Sequence, residues 1–505
     1  MSDMAVVTKT PVQAEPEIRV PTERRRVDWP LVAVVGVLVL YVGVISFIAW
    51  PGHMNIDTIG QIEEMRTGPI TDWHAGLLLH IWRPFWRLGY GIGWAFATTL
   101  LAFVVGIYSI LRVRLARVAA VIGTLLIVSF PPVLGFAVNF GRDQWTTSLA
   151  LATFGALAWA MRSVGRRRNF AFGVAIVMGL LMLMARQNAV TFAIPCIGAA
   201  LSVCGPWRRL GRFDIDAERG RSLLAIGVRV GLAGITAFVA VFGLLITQKV
   251  AGVKSTRPEQ ATYLWDLVAI SHRSGEVLLD ETVFPSQDIA VLDKYFDPYN
   301  IDTVLFVKDP PIRFPVPPDH VDELRSEWLH AIRKYPLVYA HERWQMWTRQ
   351  IAWSGDAWWI FHPFIDENPW GTKFTFERPK LDHRLQQYLY MFTKSDQHGN
   401  VTHRVWIYLL GAVVGLAGLR SKVRSRRFVG WMCVAVLLYQ ASVLFGTMGV
   451  NYRYSYPCVV LVLCVAVIGT VDGAASLWRW WGRDQATEQL AGAGQGTGST
   501  DVVEP

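Results

Sequence analysis

Apolar residues run through this chain in long blocks, without the short alternations that mark half-buried strands. Crossing a bilayer as a helix takes about 20 mostly apolar residues. Windows of roughly that length lie at 31–50, 92–111, 118–136, 144–161, 170–185, 187–205, 223–247, 404–420, 428–448 and 456–476. They predict an all-α polytopic membrane protein with about ten transmembrane helices. Between the first two blocks the period stays helical but becomes amphipathic. From Ile56 to Arg66, Asp57, Gln61 and Glu64 share one face, while Ile56, Ile59, Ile62 and Met65 lean to another. This spacing predicts a helix lying at the membrane surface. The following stretch, Leu77 to Leu88, carries Trp82, Pro84, Phe85 and Trp86 and suits the interfacial aromatic belt.

The blocks divide the chain into units. A disordered tail is expected at 1–28, and a module of seven spans at 29–247 with loop helices at 51–91. An outward-facing, mainly helical domain follows at 248–403, then three spans at 404–476 and a largely disordered tail at 477–505. Within 319–351 the pattern predicts one or two amphipathic helices interrupted at Pro336. Trp328, Tyr335, Tyr339, Trp344 and Trp347 recur there at near-helical spacing, a stripe that favours packing. Trp353, Trp358, Trp359 and Trp370 add aromatic surface that also suits stacking on sugar rings.

Composition agrees with the blocks: 52% of the 505 residues are hydrophobic and 17% charged, against roughly a quarter charged in soluble domains. Charge placement adds orientation. Basic clusters fall at every second connection: Arg24 to Arg26; Arg112, Arg114 and Arg117; Arg162 with Arg166 to Arg168; Arg208 to Arg221; Lys422 to Arg427; and Arg479 with Arg483. Lys and Arg resist translocation, so both termini are expected in the cytoplasm of a multi-pass cell-membrane protein. The net charge of +10 then reflects topology and contact with the lipid bilayer, and no nucleic-acid partner is expected. No cleavable signal peptide precedes the first span, which is expected to act as an uncleaved anchor. The five cysteines all fall in or beside predicted spans, so no disulfide framework is indicated.

This topology collects unusual polar residues on the outer side. Arg142, Arg186 and Arg453 stand in short outer connections, where basic residues are disfavoured. A salt bridge or snorkelling to lipid phosphate is the plain explanation; binding a substrate phosphate is the functional one. Asp57 lies a few residues beyond the outer end of the first span, and Asp143 opens the span after Asn139-Phe140-Gly141-Arg142. Each acid suits a helix N-terminus. Together they also suit a reaction centre with Arg142 beside it. His53, His74 and His80 show no metal-ligand spacing.

Several stretches together resemble the GT-C superfamily of integral membrane glycosyltransferases. They are Asp57-x3-Gln61 with Asp72-Trp73-His74, the Arg142-Asp143 pair, the Arg186-Gln187-Asn188-Ala189 turn, Trp328-x7-Pro336-x2-Tyr339-x3-Arg343, and Tyr452-Arg453-Tyr454. The similarity to the protein O-mannosyltransferase-like group is distant, because Thr58 follows Asp57 where that group resembles an Asp-Glu dipeptide. Trp358-Trp359 lacks the acid of the oligosaccharyltransferase Trp-Trp-Asp signature. The resemblance implies transfer of a sugar, with inversion, from a polyprenyl-phosphate-linked donor to a glycan, lipid or protein acceptor at the outer face. It implies Asp57 as catalytic base with Asp143 as partner, and Arg186, Arg453 and Arg142 on the donor phosphate. Gln61, His74 and Tyr452 would contact substrate. A divalent cation, Mg or Mn, would suit Asp57 and Asp143, although the sequence does not require one. A transporter or flippase for a lipid-linked or anionic solute, or a noncatalytic envelope scaffold, are the alternatives. Spans nearly free of charge away from their ends, Arg229 being the main exception, and no internal repeat favour a surface reaction over a crossing pathway.

Overall fold

The computed structural model describes residues 28–201 and 248–474, apart from 75, 88–90, 372 and 394–397, with a few isolated positions between 209 and 243. The 223–247 window, Arg229, the 207–222 loop and both tails fall outside the described residues, save those isolated positions. The chain is helical. In order come α1 (Trp29–Ala49), α2 (Ile56–Arg66), α3 (Gly76–Arg87), α4 (Gly91–Leu111), α5 (Arg117–Ser129), α6 (Pro131–Ala137), α7 (Arg142–Arg162), α8 (Gly165–Ala185) and α9 (Val190–Ala199). Beyond the undescribed stretch lie α10 (Gln260–Ser274), α11 (Ile289–Tyr295), α12 (Asp302–Leu305), α13 (Val321–Lys334), α14 (Pro336–Gln350) and α15 (Pro379–Tyr390). The last three are α16 (Val405–Gly415), α17 (Arg424–Gly446) and α18 (Tyr456–Ala474).

Five of these helices, α1, α4, α8, α17 and α18, are long and apolar enough to cross a membrane. The window at 118–136 is a broken element instead of a straight span. α5 and α6 meet at a bend of 76°, where Pro131 and Pro132 begin a new helix and remove donors from the old ladder. Counted as one span, the pair makes six. α7 matches the window at 144–161 in position, but Arg142, Asp143, Gln144 and a run of Thr and Ser make its outer turns polar. The windows at 187–205 and 404–420 appear as the shorter apolar helices α9 and α16, the latter continued by a tighter turn to Arg420.

Helix α1 is apolar on its buried and its exposed face alike. α1 starts on an Asp28 cap that accepts from the Leu31 amide. It buries Val34, Leu38, Val42 and Ile45 at helical spacing and leaves Val35, Val39, Leu40 and Phe47 exposed. A helix apolar on both faces is stable only where its outer face meets hydrocarbon. α4 and α7 approach closely because small residues meet: a Cβ on Gly106 would stand 2.7 Å from the Leu151 carbonyl carbon. That contact seats α7 deep in the bundle.

The 248–403 stretch serves two cores. Leu264, Val268, Phe284, Leu292, Val321 and Met346 form a separate cluster with Val450 from the final loop. Residues from Ile351 to Leu389, among them Ala357, Ile360, Phe361 and Leu385, join the core of the helical bundle. Residues 248–403 thus contribute to two cores, with the change near residue 350.

The charge-derived sides are mirrored in contacts. Segments read as cytoplasmic meet one another: Asp28 pairs with Arg117 at 2.8 Å, and Asp472 with Arg114 and, at 3.2 Å, Arg426. Segments read as outer also meet one another. The His53 amide donates to Val138, and Phe140 to His53; Met54 exchanges backbone bonds with Phe364 and Asp366; Ile301 donates to Met448. In a cysteine-replaced background, Ser286→Cys in intact cells is expected to react with an impermeant maleimide and Lys422→Cys only after permeabilisation. The reverse pattern would invert the topology.

Candidate functional site

The start of α2 is built to present Asp57. Asn55 caps the helix, its side chain accepting from the Thr58 amide at 3.0 Å. Asp57 is therefore relieved of the capping role. Thr58 Oγ1 donates to the Phe140 carbonyl at 2.7 Å, and Gly141 fits beside it because a Cβ there would stand 2.6 Å from that hydroxyl oxygen. Asp143, one turn further, also leaves the cap to another residue: Gly141 holds the N-cap position of α7, and Asp143 lies in its first turn. The preceding loop is fixed by His53, fully buried, whose Nε2 meets Asp382 at 2.8 Å and Nδ1 the His362 carbonyl at 2.7 Å.

Three guanidinia close around the two acids. Arg453 Nη1 donates to Asp57 Oδ2 at 3.0 Å, and its Nε lies 3.7 Å from Asp143 Oδ2. Arg186 pairs with the other oxygen of Asp143. Arg142 donates to the Trp73 carbonyl at 2.9 Å. Tyr454 lies under two of the cations, its ring centre 5.1 Å from both the Arg186 and Arg453 guanidinia.

This field fixes the charge states. Burial pushes the Asp57 carboxyl up, but Arg453, Arg142 and His74 outweigh it and hold it at about 2. Burial pulls Arg453 down, yet Tyr454 and Asp57 raise it above the ordinary range. Asp302, at the start of α12, moves the other way: loss of solvation and the charge of Asp57 push it up against the pull of Arg453.

The loop carrying Arg453 is clamped from the 260–350 unit. The Gln350 amide is a two-way clip, Nε2 donating to the Asn451 carbonyl and Oε1 accepting from the Asn451 amide, both at 2.8 Å. Val450 donates to Tyr299 and Tyr452 to Trp358 through backbone bonds of 2.8 and 2.9 Å. Arg343, held by Asp266 at 2.7 Å with both side chains buried, also donates to the Thr447 carbonyl.

Two cavities flank the charges and share Arg142. One, of about 60 Å³, is lined by Asp57, Gln61, Asp143, Gln144, Trp359 and Arg453. The other, of about 290 Å³, is lined by His74, Arg142, Arg186 and Tyr454 and also by the acids Asp72 and Glu259. A groove of about 650 Å³, almost wholly apolar, runs along α3, α4, α7 and α8 past Leu78, Trp94, Trp145, Leu149, Met178 and Leu181.

Asp57, Asp143, Arg142, Arg186, Arg453, Gln61 and His74 lie around these two cavities. Tyr452 does not join them. It is buried, with its hydroxyl directed at the Pro132 carbonyl, and lines neither cavity; its neighbour Tyr454 does. Other nearby acids have structural partners: Glu64 holds Thr71 and His74, and Asp72 holds Ser255 and Thr256. Asp302 and Gln144 were not singled out as site residues by sequence, whereas Trp359 was named only as one of four tryptophans suited to sugar stacking. Among the described residues no group of three or more His, Cys, Asp or Glu is placed to hold a metal ion. No protein-family model, curated protein or solved structure matches the chain.

Because the folded-state value of Asp57 lies below its ordinary 3.8, its pairing stabilises fully above about pH 4 and fades as pH falls toward 2. The thermal-midpoint difference between wild type and Asp57→Asn is expected to hold steady from about pH 7 to 5 and to narrow below about pH 4. A difference that widens on acidification would show that Asp57 is not held by these cations.

Proposed function

We propose that this chain is a GT-C-type glycosyltransferase of the cell membrane, acting at the outer face on a polyprenyl-phosphate-linked sugar. One juxtaposition carries the reading: the apolar groove lies within a few residues of the cavity that holds Arg142 and Arg186 along the same segments of chain. Helices α7 and α8 line both: Trp145 in the groove lies one turn from Arg142 in the cavity, and Leu181 one turn from Ala185 beside Arg186. Leu78 of α3 in the groove follows His74 of the cavity by four residues. A ligand that fills both has a long apolar tail and an anionic head, the form of a lipid phosphate. Arg186 and Arg142 suit phosphate oxygens because guanidinium offers paired, directed donors.

The chemistry follows from the charges. An acceptor hydroxyl attacks the anomeric carbon, the bond from that carbon to the phosphate oxygen breaks, and the lipid phosphate leaves with the electron pair. The hydroxyl proton passes to a carboxylate, for which Asp57 is our choice. A carboxyl held at about 2 is a weak base. An incoming phosphate that draws on Arg453 and Arg142 relaxes that hold, so the donor itself raises the basicity of Asp57. Growing charge on the leaving phosphate is met by fixed guanidinia in a partly desolvated site. Arg453 and Arg186 already occupy the carboxylate oxygens a cation would need, which favours a metal-independent reaction. Asp143 then orients Arg186 and Arg453 in place of a metal.

Purified protein in nanodiscs, supplied with a panel of polyprenyl-phosphate sugars, tests this. Asp57→Asn is expected to slow transfer by about 10²–10⁴-fold with insertion intact. Near wild-type transfer would move the base to Asp302. Arg186→Gln and Arg453→Gln are each expected to weaken undecaprenyl phosphate binding by about tenfold or more, and unchanged affinity in both removes them from the phosphate. Transfer is expected to persist in excess EDTA; loss of activity restored by Mg or Mn would require a metal at the two acids.

A further inference from the structure

The smaller cavity holds polar groups with no protein partner. Gln61 and Gln144 are 2% and 4% exposed. Gln61 Nε2, both polar atoms of the Gln144 amide and Asn139 Oδ1 are buried without a hydrogen bond among the described residues. All three side chains line the same cavity as Asp57. Buried amides without partners are costly and uncommon in folded proteins, so three around one cavity point to a ligand that completes them. Gln61 follows Asp57 by one helical turn and Gln144 follows Asp143 directly, which sets these amides beside both acids.

The missing partner has a definite chemistry. Gln144 offers donors and an acceptor, Gln61 a donor and Asn139 an acceptor. Hydroxyl groups, which both donate and accept, match that set; an ammonium lacks acceptors and a carboxylate lacks donors. The volume of about 60 Å³ suits a hydroxyl edge better than a whole ring. At the same wall Trp359 is 39% exposed and keeps a left-handed backbone, φ 51°. Bulky residues rarely adopt that conformation, and such outliers gather at binding sites. Its indole offers an aromatic face to a ring seated outside the cavity.

We infer that this cavity is the acceptor subsite and that it reads adjacent hydroxyls of a neutral sugar, which makes the acceptor a glycan in preference to a protein side chain. The inference rests on the glycosyltransferase reading and narrows its acceptor.

The test uses full-length protein in nanodiscs and saturation-transfer NMR with methyl glycosides of the common neutral hexoses and pentoses. N-acetylserinamide serves as the protein-acceptor probe, and undecaprenyl phosphate binding is measured alongside. At least one glycoside is expected to receive saturation from wild type and N-acetylserinamide none. Gln144→Leu and Gln61→Met should each weaken that glycoside by about fivefold, the loss of one hydrogen bond. Their melting temperatures should stay level or rise, because each variant removes an unpartnered buried amide. The inference is overturned if no glycoside binds, if N-acetylserinamide binds as well as any glycoside, if both variants bind the glycoside as wild type does, or if both melt several degrees earlier. Retained undecaprenyl phosphate binding in those cases confines the failure to the acceptor; its loss in wild type brings down the glycosyltransferase reading too.

Discussion

The site depends on burying charge, which is unfavourable unless every ion finds partners. Asp57, Asp143, Arg186 and Arg453 come from separate connections, and each completes another: Arg453 meets both acids, and Arg186 meets Asp143 and the ring of Tyr454. Removing Arg453 leaves Asp57 without its ion pair, and removing Asp143 does the same to Arg186. The cluster therefore ties the start of α2, the start of α7, the end of α8 and the loop before α18 into one arrangement. Arg142, Arg186 and Arg453 present guanidinium donors around Asp57 and Asp143, while Asp72 and Glu259 add carboxylates to the wall of the larger cavity.

The loop carrying Arg453 has little internal structure: a single tight turn, Tyr452–Tyr454, between α17 and α18. Its geometry is borrowed from the 260–350 unit, through Gln350 on both sides of Asn451, Tyr299 on Val450 and the buried Arg343–Asp266 pair on Thr447. Val450 itself enters that unit's core. The unit thus positions a phosphate-binding candidate without lining the small cavity, and residues beyond Ile351 supply Trp359 to its wall. This division explains why one stretch of chain contributes to two cores.

Apolar blocks located the five long apolar helices, and charge alternation gave an expected side to each loop, because both signals come from transfer free energies that act residue by residue. The amphipathic period of 56–66 and the break at Pro336 were legible for the same local reason, and α2, α13 and α14 lie where the pattern put them. Outer arginines stood out only because the charge rule makes them unusual. The sequence therefore determined where the long apolar helices lie and which acids and arginines deserved scrutiny. It did not determine that α5 and α6 meet at 76°, that Asn55 and Gly141 take the caps from Asp57 and Asp143, or that Tyr454 and not Tyr452 faces the cations. Nor did it identify Asp302 and Gln144, or which of four candidate tryptophans stands at the cavity. Those facts were decided by tertiary structure, because the field at a carboxylate and the partners of a buried amide are set by groups hundreds of residues away in the chain.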